Sequence, residues 1–440
     1  MTRLLWTLAR RVYLWPALVV LVVTLAYQVD LLGFRYALWI RTSEVAHSAL
    51  QLAGPVMVGA GGYAALRLTR NTGLLGQSSA VRHGRGMVGL HLAAGVLALG
   101  GAYALGLAPL FVWTMATATW GHPLVLPLIN AAVSSIACLC IGYGVCRLVP
   151  SPALPPILAV AAFWILGGAA AADGDGWNML TPVRFRQYRL GSHNNLEAMG
   201  LQVLIYGLLA AAAVTAVVLL GYWAHRSVLV RQGVPTLVLV APLLLIPVGL
   251  ATRPPLFERG SSSPAPVCTQ APDVSVPVCT HPALRRDLPQ AALAASRVIA
   301  LYGGQPPTGT QRIVATGDRR LQQPGDLHIT VAPSAPLRFY VTISLTQQLA
   351  GWAECEAKFP ERVDDFGNPL RSEQADLAQA ISGWLNHHTG YEYDHDNIIG
   401  ERAHTLLERL NSLPEATVTD WLRTNRERVA HCDLPISEVP

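Results

Sequence analysis

Seven long runs of hydrophobic residues dominate the first 251 residues of the chain, each 17 to 24 residues long. A helix needs about 20 apolar residues to cross a hydrocarbon layer of about 30 Å, and backbone groups without hydrogen bonds are costly in lipid. The pattern predicts membrane-spanning helices at about 12–32, 46–67, 87–108, 124–146, 154–172, 199–222 and 235–251. Because the last run is short and carries Pro235, Pro242 and Pro247, a buried hydrophobic linker or a re-entrant segment is the alternative there.

Small residues recur on two of the predicted helices, where they let helix backbones approach closely. They are Gly59, Gly61 and Gly62 in the second run, and Ala94, Ala98, Ala102 and Gly106 on one face of the third. Apart from Asp30 near one end, the predicted spans carry no Asp, Glu or Lys, and His91 is the imidazole placed well inside one. This pattern argues against a carrier coupled to protons or sodium.

The pattern changes after residue 251. A run rich in Pro and Ser, residues 252–284, predicts an extended linker, and residues 285–440 predict a mixed α+β domain. Strands are predicted at Gln311–Ala315, Leu327–Val331 and Leu337–Ile343, and helices at Leu288–Tyr302 and at about 345–358, 373–387, 400–411 and 415–431. The predicted fold class is an α-helical polytopic membrane protein with a C-terminal α+β domain.

Composition agrees with this division and excludes two functions. The chain is 52% hydrophobic and 13% charged, far from the average of soluble proteins. Residues 252–440 hold 17 basic and 22 acidic residues, a net charge of −5 that argues against nucleic-acid binding. The lone lysine, Lys358, lies in Glu-Ala-Lys-Phe-Pro, so the chain has no Walker A lysine and is not its own P-loop ATPase.

Arginine placement predicts the orientation, because arginines in short loops stay on the cytoplasmic side. With the N-terminus inside, the inner segments hold ten arginines: Arg3, Arg10, Arg11, Arg67, Arg70, Arg82, Arg85, Arg147, Arg226 and Arg231. The outer loops hold five: Arg35, Arg41, Arg184, Arg186 and Arg189. We expect a multi-pass protein of the cell membrane with a cytoplasmic N-terminus and an extracytoplasmic C-terminal domain.

The cysteines support this orientation. Three of them, Cys138, Cys140 and Cys146, lie in or at the end of the fourth run, where thiols behave as small apolar groups. The other four, Cys268, Cys279, Cys355 and Cys432, lie in the C-terminal part, an even number that suits two disulfides in an oxidising compartment. Of three possible pairings we favour Cys268 with Cys279 and Cys355 with Cys432, because the first pair flanks one Pro-rich loop. Four free cysteines are the alternative.

Three segments between or before the spans have features of their own. Residues 1–11 mix Leu and Trp with Arg, which suits a short interfacial helix or a plain basic flank. The outer segment 173–198 mixes aromatic residues with arginines, as segments lying in the membrane interface do. The basic inner loop 67–86 is the predicted contact for a cytoplasmic partner, through Arg67, Arg70, Arg82 and Arg85.

One cluster of titratable residues lies in the C-terminal part. It contains His387, His388, Asp394, His395 and Asp396, followed by Glu401 and His404. These residue types bind zinc or calcium, but their spacing fits no zinc signature, and a polar connection between two helices would use the same residues. No His-Glu-x-x-His or Gly-x-Ser-x-Gly motif occurs. We predict no catalytic residue, no metal and no cofactor.

The arrangement of the first 230 residues resembles the permeases of ABC-2-type transporters: an interfacial N-terminal helix, six spans, a basic inner loop after the second span and an amphipathic outer segment between the fifth and sixth. The whole chain is also similar to large actinobacterial membrane proteins whose secreted domain begins Val-Cys-x-His-Pro-Ala, here Val278-Cys279-Thr280-His281-Pro282-Ala283. The resemblance implies an export permease, a homodimer or a heterodimer with a second permease, and a separately encoded cytoplasmic ATPase. The seventh run and the outer domain depart from that family.

Three functions remain open from the sequence: a permease subunit of an ABC-type export system, a membrane-anchored extracytoplasmic binding or sensor protein, and a degenerate zinc-hydrolase-like domain on an anchor. The first is the main expectation. No residue pattern names a transported substrate, because specificity would depend on the shape of a cavity.

Overall fold

A computed structural model describes residues 9–32, 35–70, 81–171, 192–223, 257–259, 264–316, 323–331, 335–360, 362–363, 369–370, 372–391 and 400–440. The chain divides into two compact units. The first comprises residues 1–33, 37–188 and 192–259, and the second comprises residues 34–36, 189–191 and 260–440.

The described part of the first unit is almost entirely helical. Its helices are α1 (Leu14–Leu32), α2 (Trp39–Ser48), α3 (Leu50–Arg70), α4 (Val81–Gly95), α5 (Gly101–Thr117), α6 (Val125–Leu148), α7 (Leu154–Ala171) and α8 (Leu196–Trp223). A π-helical turn, Ala9–Tyr13, precedes α1, and a second, Val96–Gly100, joins α4 to α5. Two short strands, β1 (Ser192–Asn194) and β2 (Phe257–Arg259), pair antiparallel.

Five helical segments in the described residues are long and apolar enough to cross a membrane: Arg10–Val29, Trp39–Arg67, Val88–Thr117, Val125–Leu148 and Leu196–Val217. They match five of the predicted runs. The run at 154–172 forms α7, whose apolar part Leu154–Gly168 is shorter. The run at 235–251 lies outside the described residues, as do most of the segments 1–11 and 173–198. The structure thus confirms a helical membrane unit without confirming seven spans.

Glycines bring α3 and α6 into backbone contact. A Cβ atom added to Gly61 would lie 2.3 Å from the carbonyl oxygen of Leu139, and one added to Gly142 would lie 1.9 Å from that of Val58. No side chain fits at either position, so the two helices pack as closely as their backbones allow. The glycine-rich second run therefore marks a packing face.

The second unit is built on a four-stranded sheet. Its strands are β3 (Val267–Gln270), β4 (Pro277–Thr280), β5 (Arg312–Ala315) and β6 (Asp326–Ile329), in that order across the sheet. Strand β3 runs antiparallel to β4, whereas β4, β5 and β6 are parallel. The amphipathic helix α9 (Leu288–Leu301) supplies the crossover that parallel strands β4 and β5 need. Because β3 and β4 are part of this sheet, the domain begins inside the range 252–284 that the sequence predicted as a linker.

Five more helices follow the sheet: α10 (Leu337–Leu349), α11 (Trp352–Lys358), α12 (Glu373–His388), α13 (Glu401–Ser412) and α14 (Glu415–Ala430). A two-stranded ribbon, β7 (Arg362–Val363) with β8 (Pro369–Leu370), lies between α11 and α12. The apolar side chains of α12 include Trp384, which is fully buried. These helices and the sheet together form the α+β domain that the sequence predicted.

The strand predicted at Leu337–Ile343 is wrong, because these residues form the first half of α10. The cluster Val341-Thr342-Ile343 favours a strand by propensity. A spacing of four between apolar residues favours a helix instead. Leu337, Val341, Leu345 and Leu349 all lie on one helix face and are fully buried. Pro336 precedes the helix at a position where a missing N–H costs nothing.

Two disulfides tie the second unit together in the pairing that the sequence favoured. Cys268 and Cys279 lie opposite each other on β3 and β4 and are bonded. Cys355 of α11 bonds to Cys432, just after α14, across 77 residues of sequence. Cys138, Cys140 and Cys146 are free and buried in α6. Two disulfides suit an oxidising compartment, in agreement with an extracytoplasmic domain.

Arg35 and Tyr36 belong to the second unit and hydrogen-bond to Asp287. The Tyr36 hydroxyl donates to Asp287 Oδ2 over 2.7 Å and accepts from the backbone N–H of Leu337 over 2.5 Å. Arg35 Nε donates to the same carboxylate oxygen over 2.6 Å. Burial acts to raise the pKa of Asp287, but the hydrogen bonds from Arg35 and Tyr36 outweigh it and hold that pKa below its usual value.

Candidate functional site

Helix α2 buries a continuous polar segment in the helical unit. Every residue from Thr42 to Ser48 is buried, and five of these seven are polar: Thr42, Ser43, Glu44, His47 and Ser48. The helix begins after Leu38, whose extended backbone accepts the first helical hydrogen bond from the Thr42 N–H. Burial of polar side chains costs free energy unless they are hydrogen-bonded. A segment of this kind therefore needs partners from neighbouring helices.

Hydroxyl groups supply part of that bonding. The Thr42 hydroxyl lies 2.6 Å from the Thr114 hydroxyl of α5, and Ser43 Oγ accepts from the backbone N–H of Leu124 over 3.1 Å. Leu124 immediately precedes α6, so α2 is hydrogen-bonded both to α5 and to the residue at the start of α6. The Ser48 hydroxyl donates back to carbonyl oxygens of its own helix.

The junction between α2 and α3 is stabilised from α5. The two helices are continuous except for a turn at Ala49. The buried Tyr103 hydroxyl of α5 donates to the carbonyl oxygen of Ala46, one turn before that junction. A hydrogen bond from a neighbouring helix is the usual means of satisfying backbone groups where a membrane helix departs from regularity.

Ionisable residues recur every third position of α2. Arg41 is followed by Glu44 and His47, and residues three apart on a helix are neighbours on its surface. Glu44 is 6% exposed and His47 is fully buried. Ionisable groups inside membrane helices are rare and mark ion, proton or substrate pathways more often than packing.

This burial corrects the interpretation that the spans contain no carboxylate beyond Asp30. The second predicted run began at residue 46, because hydropathy falls at Arg41 and Glu44. The helix instead begins at Trp39, and the candidate span Trp39–Arg67 includes both residues. The neighbouring helices bury Glu44, an effect that the hydropathy of a single segment does not contain. The sequence-based argument against an ion-coupled carrier therefore loses its basis.

Two further buried hydrogen bonds join other helices of the unit. Asn130 of α6 donates to Gln202 of α8 over 2.8 Å, and Ser134 donates to Asn130 over 3.4 Å. Gln28 of α1 donates to the carbonyl oxygen of Thr24 over 2.8 Å and also to that of Gly106 in α5. Each such bond contributes on the order of 0.6 kcal/mol in a membrane and fixes the rotation of the helices that it joins.

An apolar cavity of about 400 Å³ lies between α5 and α6. Its lining extends to α2, α3 and the π-helical turn and consists of Ala46, Met57, Gly95, Val96, Leu99, Gly100, Tyr103, Ala104, Leu107, Leu128, Ala131, Ala132, Ser135, Ile136 and Leu139. Seven of these fifteen residues are Gly, Ala or Ser, which leaves space where larger side chains would fill it. π-Helical turns are frequent at functional sites.

The residues singled out from the sequence have other surroundings. Arg67 lies 4.8 Å from the centre of the Tyr63 ring and donates to the carbonyl oxygen of Arg11 over 3.5 Å. The side chains of Arg70, Arg82 and Arg85 lie outside the described residues, as does the loop 71–80. Nothing described therefore shows a contact surface for an ATPase.

In the predicted metal cluster, the His388 ring stacks on Trp384 at 4.3 Å and lies 5.3 Å from the His387 ring. His404 pairs with Glu408 of its own helix at 3.4 Å. Asp394, His395 and Asp396 lie outside the described residues. Within the described part of the chain, no three His, Cys, Asp or Glu side chains are grouped to hold a metal ion.

Comparison with known protein families, with curated proteins and with solved structures finds no significant match to this chain. The buried segment of α2 and the adjoining apolar cavity are therefore the features on which a function must be argued.

Proposed function

We propose that the chain is the permease subunit of an ABC-type export system that works with a separately encoded ATPase. The burial of Thr42–Ser48 in α2 is the observation that carries this proposal. Glu44 and His47 lie in the first third of the candidate span Trp39–Arg67, where an ionisable group costs less than the about 2.5–3.5 kcal/mol that insertion scales give for the centre of a membrane helix. Helices that served only to hold an outer domain would gain nothing from Glu44 and His47, whereas a transport path uses such groups.

The ATPase partner is supported by two properties of the sequence. The chain has no P-loop lysine of its own, and its basic inner loop 67–86 offers arginines to a cytoplasmic protein. Export as the direction, and a dimer as the assembly, follow from the resemblance to ABC-2-type permeases.

Co-purification tests this partnership. The full chain is expressed with the ATPase encoded beside it and purified in mild detergent, and the ATPase should remain bound. Arg82→Glu together with Arg85→Glu should release it, while Arg226→Glu on another inner segment should not. Failure of the unaltered chain to retain the ATPase would contradict the proposal.

A membrane-anchored extracytoplasmic binding or sensor protein is the second candidate. The observation that favours it is the second unit itself, which has its own sheet, buried core and two disulfides. If that unit carries the function, substitutions of buried polar residues in α2 should leave activity intact. Deletion of residues 253–440, with a check that the helical unit stays monodisperse, gives the converse test.

A further inference from the structure

We infer that the cavity between α5 and α6 binds one alkyl chain of a membrane amphiphile, which enters sideways from the bilayer. An alkyl-chain amphiphile would be the class of ligand that the proposed transport path carries. The inference rests on the proposed function only where it treats this ligand as the transported cargo. Binding itself depends on the geometry of the cavity.

The cavity opens on the side of the helical unit. Its inner wall is buried: Met57, Leu99 and Leu139 are each 1% exposed. Its rim is formed by the exposed residues Ala104, Ala132 and Ile136. These rim residues lie well inside the candidate spans Val88–Thr117 and Val125–Leu148, at a depth where the surrounding solvent is hydrocarbon. An alkyl chain can therefore enter without crossing a polar layer.

The lining offers a polar ligand few hydrogen bonds. The donor protons of its two polar side chains are already used, since Tyr103 donates to the carbonyl oxygen of Ala46 and Ser135 donates to that of Ala131 over 2.7 Å. No lining residue carries a charge. A polar or ionic solute would lose its hydration in this cavity and could donate to two hydroxyl oxygens at most, so the lining favours hydrocarbon.

Shape and size suit a chain rather than a compact molecule. The lining residues from Gly95 to Leu107 span twelve positions, about 18 Å along the helix axis. A cavity of about 150 Å³ already holds a benzene ring, and the volume here is about 400 Å³. Voids of this size are absent from well-packed interiors, so the cavity is expected to be occupied in a bilayer.

Photolabelling of the full-length protein tests the inference. The protein is placed in phosphatidylcholine vesicles that contain a phosphatidylcholine with a diazirine in the middle of one acyl chain. After illumination, label is expected on the buried wall residues Met57 and Leu139, at about one amphiphile per chain. Label confined to outward-facing residues such as Leu105 and Trp164 would overturn the inference, because it would show ordinary contact with bulk lipid.

A matched pair of variants on α6 gives the control. Ala132→Phe fills the rim of the cavity and should reduce wall labelling at least tenfold. Ile129→Phe adds a phenyl ring on the exposed surface of the same helix, outside the cavity lining, and should leave wall labelling unchanged. Equal labelling in the two variants would contradict the proposed entry path. A covalent protein dimer in place of a lipid adduct would overturn it in favour of a second copy of the chain.

Competition shows which kind of amphiphile supplies the bound alkyl chain. Excess unlabelled long-chain alcohol should displace the wall label if the site prefers a single-chain amphiphile, and should leave it if a bilayer phospholipid is the occupant. Either result supports an alkyl-chain site. The labelling needs no ATPase, so its failure and the failure of ATPase co-purification are separate results.

Discussion

The two units of this chain expose opposite kinds of residue. Among the described residues, all large hydrophobic side chains that are exposed belong to the first unit, except Leu293 and Phe359. Trp15, the most exposed of them, is 75% accessible. The second unit buries apolar residues and keeps most charges outside. The hydrophobic effect buries apolar side chains only where the solvent is water. In a membrane the surrounding hydrocarbon is itself apolar, so polar side chains of the helical unit are the ones that exposure would cost most.

This difference extends to how each unit is held together. Both units bury apolar side chains, but the second adds two disulfides, whereas the first adds glycine contacts between backbones and a few buried hydrogen bonds. The contrast can be tested by changing one disulfide, glycine contact or buried polar group at a time.

Loss of the disulfide between Cys355 and Cys432 should have the largest effect. Replacing both by Ser frees a loop of 77 residues in the unfolded chain, a loss of about 4 kcal/mol in the chain-entropy account. The same change at Cys268 and Cys279, with a separation of 11, should cost about 3 kcal/mol. Thermal unfolding of the purified chain, with and without reductant, compares them. If the second unit unfolds at the same temperature in both variants as in the wild type, packing of the sheet and helices stabilises it without the disulfides.

Overpacking of the α3–α6 contact should be nearly as costly, at about 3 kcal/mol. Gly142→Leu places a side chain on the carbonyl oxygen of Val58, and the helices must separate. Gly200→Leu on α8 meets nothing within 4 Å and is the matched control. Size-exclusion chromatography in detergent should show aggregation of the first variant and a monodisperse peak for the second. A monodisperse Gly142→Leu protein would contradict the packing described.

Replacement of the buried carboxyl group should change stability less. Glu44→Leu removes the desolvation cost of an ionisable group in the interior of the helical unit together with the interactions that this group makes, and we expect a net change of no more than about 1 kcal/mol. Thermal unfolding in detergent measures the change, with the exposed Trp164→Leu as control. A large loss of stability would show that Glu44 holds the helices together rather than serving a transport path.

The smallest effect concerns pH and Asp287. Because its pKa in the folded protein is lowered, its contribution to stability is complete above the ordinary value of about 3.9 and is lost as pH falls through the folded value. The wild type should lose stability below about pH 4 more steeply than Asp287→Asn. Since the Arg35 side chain is 45% exposed, solvent weakens its ion pair with Asp287. We therefore expect the loss of stability to be under about 1 kcal/mol. Asp420→Asn, at an exposed carboxylate of α14, is the control for acid unfolding.

Local patterns predicted much of the fold. Periodic apolar residues placed the long helices and α9, and strands β5 and β6 followed from two short runs, of which the second alternates. The prediction for Leu337–Ile343 was wrong because three neighbouring residues of high strand propensity lie in a segment whose buried apolar residues are four apart, the spacing of a helix.

The buried segment of α2 was missed because burial of Glu44 comes from α5 and α6, and no pattern within residues 39–48 records those neighbours. A hint was available in the cluster of Thr42, Ser43 and Ser48, residues that hydrogen-bond well between membrane helices. The cavity depends on which small residues face each other across two helices, and the sequence alone does not contain that pairing.

If the buried polar segment of α2 makes the helical unit the working part of the protein, the ionisable group of Glu44 should be needed for activity. The test is the rate of ATP hydrolysis by the full chain together with the proposed ATPase in phospholipid vesicles, measured for wild type, Glu44→Gln and Trp164→Leu. Glu44→Gln preserves the size of the side chain and one acceptor oxygen while removing the ionisable group. The account predicts at least a tenfold loss of rate for Glu44→Gln, with the ATPase still bound and Trp164→Leu equal to wild type. Equal rates for all three proteins would contradict it and favour a helical unit that only anchors the second unit.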